Sequence, residues 1–181
     1  CRYDGHTLLV GPESAGADPG PLCYGNPNAS ELTLTDVNLI LGRLQAERFP
    51  LPLDLDKARR GLTHLTQRVN LDGHDLSELE IANGLLRIAN ASMADAVSKV
   101  SLARGHDVRD DALIVFGGAG GQHACPVARR LGIRTVAFHP LSGVLSAHGI
   151  GIAQRGFHAQ RDVGRPVLSE RSLCDSEHVL Q

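Results

Sequence analysis

A run of four glycines in five residues, placed directly after an apolar segment, is the feature that most restricts how this chain can fold. The glycines are Gly117, Gly118, Gly120 and Gly121. Because they carry no Cβ, the backbone can turn sharply there and approach a ligand closely. The preceding segment, Ala112–Phe116, has the branched, apolar composition of a strand that is buried on both faces.

The residues that follow the glycines complete a βαβ unit over residues 112–138. A helix is predicted for Gln122–Leu131, where Pro126 is tolerated only in the first turn. A second strand is predicted for Arg134–Phe138. Two strands joined by such a helix run parallel, and ligands of these units bind at the carboxyl ends of the strands. The sequence therefore predicts an α/β fold with a ligand site at the glycines.

Two common phosphate-binding motifs are both incomplete here. The dinucleotide motif G-x-G-x-x-G would need a third glycine where this chain has His123, which counts against a dinucleotide-dependent oxidoreductase. The phosphate loop of P-loop enzymes would need a Lys-Ser or Lys-Thr pair after its last glycine, and none follows. A tight turn that lets the helix pack closely on the strand therefore stays open as the simpler interpretation.

Composition argues against two classes of partner. A net charge of -2 and an aromatic content of 3% offer nucleic acid neither a basic surface nor many stacking side chains. No apolar run approaches the ~18 residues of a membrane span. The four cysteines are widely spaced without a C-x-x-C pair, which favours reduced thiols and a cytoplasmic location. The chain begins with Cys1 rather than Met, and we expect it to be a piece of a longer protein.

The rest of the chain reads as a hairpin strand, a stiff loop and several helices. Residues 11–25 hold three prolines and four glycines and should form an irregular loop. Met93 is predicted to lie in the core. The predicted elements are a strand within Thr7–Val10, a helix over Val37–Leu44 capped by Thr35 or Asp36, a helix from Asp54 or Asp56 to Val69, a helix opened by a capping box at Ser77 and Glu80 that runs to Arg104, and a helix or strand at Gly149–Ala153.

Four ordered motifs together resemble one protein family. They are GPESAGADPGPLCYG at 11–25, LTDVNLILGRL at 34–44, FGGAGGQHAC at 116–125 and SGVLSAHG at 142–149. The chain resembles the C-terminal part of the hydantoinase A/oxoprolinase family from residue 7 to about residue 160. The motif GGQHAC and the RGHD at 104–107 are most similar to the ATP-dependent 5-oxoprolinases of that family.

The resemblance implies a part of a nucleotide-binding fold of the actin/Hsp70/sugar-kinase type, in which a strand, a glycine turn and a helix hold adenosine. Gly117, Gly118, Gly120 and Gly121 match that turn. Residues 1–160 would form a partial domain and residues 161–181 a polar tail. The family's amino-terminal phosphate loop, of D-x-G-G-T type, has no counterpart here. The isolated chain is therefore expected to be inactive.

The reaction that the resemblance implies is the ATP-driven opening of a lactam. 5-Oxo-L-proline, ATP and water would give L-glutamate, ADP and phosphate, with Mg²⁺ held against the phosphates. Hydrolysis of N-methylhydantoin, or a role as a carboxylase subunit, remains an alternative within the family. A non-catalytic nucleotide-binding or interaction module is an alternative of another class. The implied partners are the rest of its own polypeptide or a hydantoinase B-like subunit, within an oligomer.

Three reactive residues lie in separate family-like motifs. Cys23, Asp36 and His123 are each of a type that binds zinc or a transition metal. Our hypothesis is that they converge near the cleft and bind a metal or the substrate. Simple roles in helix capping and packing are the alternative.

Overall fold

The computed structural model describes residues 1–154 and 156. Two small sheets and five helices are found in this part of the chain. Residues 1–145 form one compact unit, and Ser146–Gln181 are assigned to a second. The predicted tail at 161–181 lies outside the described residues. The elements are β1 (Arg2–Tyr3), β2 (Leu8–Leu9), α1 (Leu34–Ile40), α2 (Leu55–Leu71), α3 (Glu78–Ala103), β3 (Ala112–Val115), α4 (Ala124–Leu131), β4 (Thr135–Phe138) and α5 (Leu145–Ile152).

The predicted βαβ unit is confirmed. Strands β3 and β4 are parallel, with Ala112 opposite Thr135 and Val115 opposite Phe138. Pro126 is the third residue of α4, where its missing N–H leaves no helical hydrogen bond unmade. The prediction that β3 is buried on both faces is wrong for the described residues, because Ile114 is 65% exposed. Within the described part of the chain, β4 is the one strand that pairs with β3, and Val115 is the one buried residue of β3.

The main core lies where the β1–β2 hairpin meets α1, α2 and α3. The predicted strand at residues 7–10 is present as β2, which pairs antiparallel with β1. Buried side chains on facing sides of the three helices pack into one cluster. Its largest fully enclosed members are Val37 from α1, Leu62 from α2, and Ile81 and Leu85 from α3.

The caps predicted from the sequence for the N-termini of α1, α2 and α3 are found for α2 and α3. Asp54 caps α2 by accepting a hydrogen bond from the Lys57 N–H, and Ser77 forms the predicted capping box of α3 with Glu80. The prediction for α1 is wrong in detail. This helix spans Leu34–Ile40 and is capped by Thr33, so that Asp36 occupies its first turn. The Thr33 side chain accepts a hydrogen bond from the Asp36 N–H, and the Asp36 side chain accepts one from the Thr33 N–H. Because this capping box includes Thr33, the helix begins nearer the N-terminus than predicted.

A second cluster fills the space between α3 and α4. Its buried members are Ala94, Val127, Ala128, Leu131 and Ile133. The prediction that Met93 lies in the core is wrong, because this side chain is 37% exposed. The segment predicted as helix or strand near Gly149 is helical, within α5. Among the described residues, no helix has the length and apolar character to cross a membrane.

Two helix-interior glycines provide a test of this packing. A Cβ at Gly84 of α3 would make an ordinary 3.6 Å contact with Leu8 Cδ1, whereas a Cβ at Gly61 of α2 would lie 2.3 Å from Cδ1 of the buried Leu22. Because alanine suits a helix better than glycine, we expect Gly84→Ala to raise the free energy of unfolding by about 0.5–1 kcal/mol. We expect Gly61→Ala to lower it by about 1 kcal/mol through overpacking. Urea unfolding followed by circular dichroism measures both, and equal gains would contradict the packing described.

Candidate functional site

The glycine turn leaves its backbone open on one side. Gly117 has a φ of 89°, a left-handed conformation that glycine adopts without strain, and its N–H donates to the Ser142 carbonyl over 2.8 Å. A Cβ at Gly117 or Gly118 would meet no atom within 4 Å. Gly120 is closer to the protein, because a Cβ there would lie 3.1 Å from Val115 Cγ1. A ligand could therefore approach the first half of the turn directly.

A cleft of about 400 Å³ lies beside the second half of the turn. Its walls are mostly apolar, and Thr35, Gln122 and His123 are the polar residues among those that line it. The apolar lining comes from the start of α1, the middle of α3, strand β3 and the beginning of α4. It consists of Leu34, Met93, Leu113, Ile114, Val115, Phe116, Ala119, Gly120, Ala124 and Val127.

Two side-chain hydrogen bonds tie the end of the glycine turn to the helices. The Asn38 Nδ2 group of α1 donates to Gln122 Oε1 over 2.7 Å. The His123 Nδ1 and Asn90 Oδ1 atoms, from the turn and α3, are 2.9 Å apart. Asn38 is fully buried, and its own Oδ1 has no hydrogen-bond partner. Sequence reasoning missed Asn38 and Asn90, although the first lies in a motif that it had singled out.

The hydrogen bond to Asn90 determines the state of the His123 ring. Since an amide oxygen only accepts hydrogen bonds, Nδ1 must carry the proton, which leaves Nε2 as an acceptor in the neutral ring. Burial, and then the positive charge of Arg43, lower the pKa of His123. Only 7% of the residue is exposed. His123 is therefore a buried, neutral imidazole on the wall of the cleft at neutral pH.

The structure brings two of the three predicted reactive residues together. Asp36 is fully buried, and its carboxylate accepts hydrogen bonds from the backbone N–H groups of Cys23, Leu22 and Thr33 at 2.8, 3.2 and 2.8 Å. It also accepts one from the Thr33 hydroxyl at 2.8 Å. These bonds fasten the 11–25 loop to the start of α1. The carboxylate is thus saturated by donors of the chain itself.

The environment of Cys23 keeps its thiol protonated. Burial is the largest cause that raises the pKa of Cys23, and the hydrogen bond and negative charge of Asp36 raise it further, to about 12. A protonated thiol is a poor nucleophile. His123 is bonded to Asn90 and does not join this pair in a metal-binding set. Within the part of the chain that the structure describes, no group of three His, Cys, Asp or Glu side chains could hold a metal ion.

Comparison with known proteins identifies the family. The sequence profile of the hydantoinase/oxoprolinase family matches residues 1–157, which is most of the chain. The chain belongs to the hydantoinase/oxoprolinase family. A 5-oxoprolinase of Dictyostelium discoideum is 41% identical over 159 residues, which are 81% of this chain and 12% of that protein. The chain therefore spans about an eighth of the length of this family member.

Two solved structures are similar to the described fold. The ATP-dependent caprolactamase from Pseudomonas jessenii matches 82% of this chain and 21% of its own, with a TM-score of 0.70 and 35% identity. A nucleotide-free acetone carboxylase matches the same shares with a TM-score of 0.72 and 21% identity, which demonstrates likeness of fold alone. This mixed arrangement of helices and strands thus also occurs as a part of both of these longer chains.

Proposed function

We propose that the protein carrying this chain opens a cyclic amide at the expense of ATP, with 5-oxo-L-proline as the substrate. The observation that carries the proposal is the 41% identity to a protein named 5-oxoprolinase. A solved relative named ATP-dependent caprolactamase, at 35% identity, supports the same reaction class with another ring. Both names are those of enzymes that act on lactams. The likeness to acetone carboxylase is one of fold and does not favour the carboxylase alternative.

We further propose that the glycine turn contacts adenosine in a nucleotide fold of the actin type. The residues fit this group, because the backbone at Gly117 and Gly118 is open and Gly120 borders an apolar cleft. When bound, ATP would activate the amide oxygen by phosphorylation and thereby couple ring opening to phosphate release. The chain's own contribution is to bind and orient the nucleoside. We assign no Mg²⁺ ligand to the described residues.

The phosphate-binding and hydrolytic groups are proposed to come from the rest of the polypeptide or from a hydantoinase B-like subunit. A caprolactamase relative is named as subunit alpha, and this chain is 37% identical to it over 142 residues. We retain residues 1–160 as the proposed extent of the family domain. In this arrangement the chain supplies one wall of a site that other segments complete.

Phosphate release from ATP and Mg²⁺, measured with and without 5-oxoproline, tests the proposal. We expect oxoproline-stimulated release by the full-length protein that carries this chain and none by residues 1–181 alone. Stimulation by N-methylhydantoin or caprolactam instead would change the substrate and keep the class of reaction. Failure of every cyclic amide to stimulate release, with ATP binding intact, would refute the proposed reaction. Release by residues 1–181 alone would refute the division of the site between segments.

A further inference from the structure

The wall of the cleft beside the glycine turn carries one directed hydrogen-bond acceptor. His123 is 7% exposed and lines the cleft. Its Nδ1 is held by Asn90 Oδ1 at 2.9 Å, and within residues 1–154 and 156 its Nε2 has no hydrogen-bond partner. Because Asn90 engages Nδ1, Nε2 is the ring nitrogen that remains for a ligand in the cleft.

The His123 ring is set up to accept a hydrogen bond at Nε2 and not to donate one there. Because Asn90 Oδ1 requires the proton on Nδ1, a neutral ring exposes a lone pair at Nε2. The neighbouring Arg43 guanidinium and the burial of the ring both oppose a second proton. The other polar lining residues serve less well as acceptors, since Gln122 Oε1 is already used by Asn38 and the Thr35 hydroxyl can rotate.

The lining of the cleft fits a flat apolar group with an N–H donor on its edge. Aromatic and aliphatic walls bind the faces of a planar ring, and a few placed polar groups fix its orientation. Adenine has this chemistry, because its 6-amino group donates. Guanine and hypoxanthine present an acceptor oxygen at the same position and would face the Nε2 lone pair with repulsion.

We infer that His123 is a specificity-determining residue that accepts a hydrogen bond from the 6-amino group of adenine, and that Asn90 is a positioning residue that fixes its tautomer. This inference rests on the proposed use of ATP at the glycine turn and adds the reason for choosing adenine. Cys23 and Asp36 have no part in it. The segment from Gly117 to His123 would then contact both the ribose side and the base of one nucleoside.

Removing the donor from the nucleotide and the acceptor from the protein tests the pairing directly. We would measure binding of ATP and of purine riboside triphosphate, which lacks the 6-amino group, to the full-length protein and its His123→Phe variant by calorimetry. We expect the unaltered protein to bind purine riboside triphosphate about tenfold more weakly than ATP, as for one lost hydrogen bond in a desolvated site. The His123→Phe variant should bind both nucleotides equally. His64→Phe, at an exposed position on α2, is the matched control and should retain the tenfold difference.

A variant of Asn90 supplies a second test, in which the preference between a 6-amino and a 6-oxo purine is expected to shift towards the 6-oxo purine. Asn90→Asp places a carboxylate against Nδ1, which favours the imidazolium, and its Nε2 then donates. This variant should bind inosine triphosphate, with its 6-oxo group, better than the unaltered protein does, and ATP worse. A merely structural role for Asn90 would weaken both nucleotides together. Such parallel weakening would refute its role as a positioning residue.

Different results would overturn the role of His123 and the proposed nucleotide site. Absence of ATP binding by the unaltered full-length protein would overturn the nucleotide site itself. ATP binding with the same tenfold difference in His123→Phe would overturn only the role of His123. If His123→Phe raises KM for the cyclic amide and leaves both nucleotide affinities unchanged, the acceptor serves the amide N–H and the adenine assignment is wrong.

Discussion

Replacing Asp36 with alanine is expected to lower the free energy of unfolding by about 3–4 kcal/mol, because several buried donors lose their acceptor together. The three N–H groups of Leu22, Cys23 and Thr33 all point at this one carboxylate. With Asp36 fully buried, water cannot replace the lost bonds without the loop moving away. Urea unfolding of the chain, followed by circular dichroism, measures the loss.

Two companion variants separate this cause from a general effect of removing a carboxylate. Asp36→Asn keeps one acceptor oxygen but turns an NH₂ group towards donors, and it should cost an intermediate amount. Asp54→Asn removes a charge from the exposed cap of α2, where a single N–H at 2.7 Å is accepted. Since asparagine caps helices about as well as aspartate, this control should change stability by only a few tenths of a kcal/mol. An Asp36→Ala protein as stable as the Asp54→Asn control would refute the anchoring role.

Asp36 also illustrates how far the sequence predicts such a site. Its position near the start of a helix follows from local sequence, because an acidic residue before an apolar run is a helix-start pattern. Its partners in the 11–25 loop do not follow, since Leu22 and Cys23 are 14 and 13 residues away in an irregular segment. A metal-ligand hypothesis was natural for an Asp and a Cys in separate motifs. The structure instead surrounds the Asp36 carboxylate with donors of the chain itself, and a ligand-binding role for the pair stays a prediction.

The βαβ unit was predictable for the opposite reason. Its strand, glycine turn, helix and strand follow one another within 112–138, so local propensities and turn chemistry largely determine them. The side chains that hold the turn are remote. Asn38 is 84 residues from Gln122, and Asn90 is 33 residues from His123. The partner of a polar side chain depends on how helices pack, and no period or motif in the sequence records that pairing.

Replacing Gly118 with valine is expected to weaken ATP binding by the full-length protein about 100-fold, which corresponds to about 2.7 kcal/mol. A Cβ at Gly118 would meet no atom within 4 Å, and its φ lies outside the left-handed region. An added Cβ therefore meets open space, and we expect the valine side chain to displace the ligand rather than to strain the turn. Gly117 is less suitable for this test, because its φ of 89° would add backbone strain to any other residue.

Binding and folding must be measured on the same variant for this result to be interpretable. Calorimetric titration with ATP gives the affinity, and urea unfolding should show Gly118→Val within about 1 kcal/mol of the unaltered protein. Gly84→Val adds the same side chain to α3, outside the residues that line the cleft, and should leave ATP affinity unchanged. Unchanged affinity in Gly118→Val would mean that adenosine does not pass this backbone. The glycines would then be explained by the alternative of a tight turn, and the nucleotide site would have to be sought elsewhere.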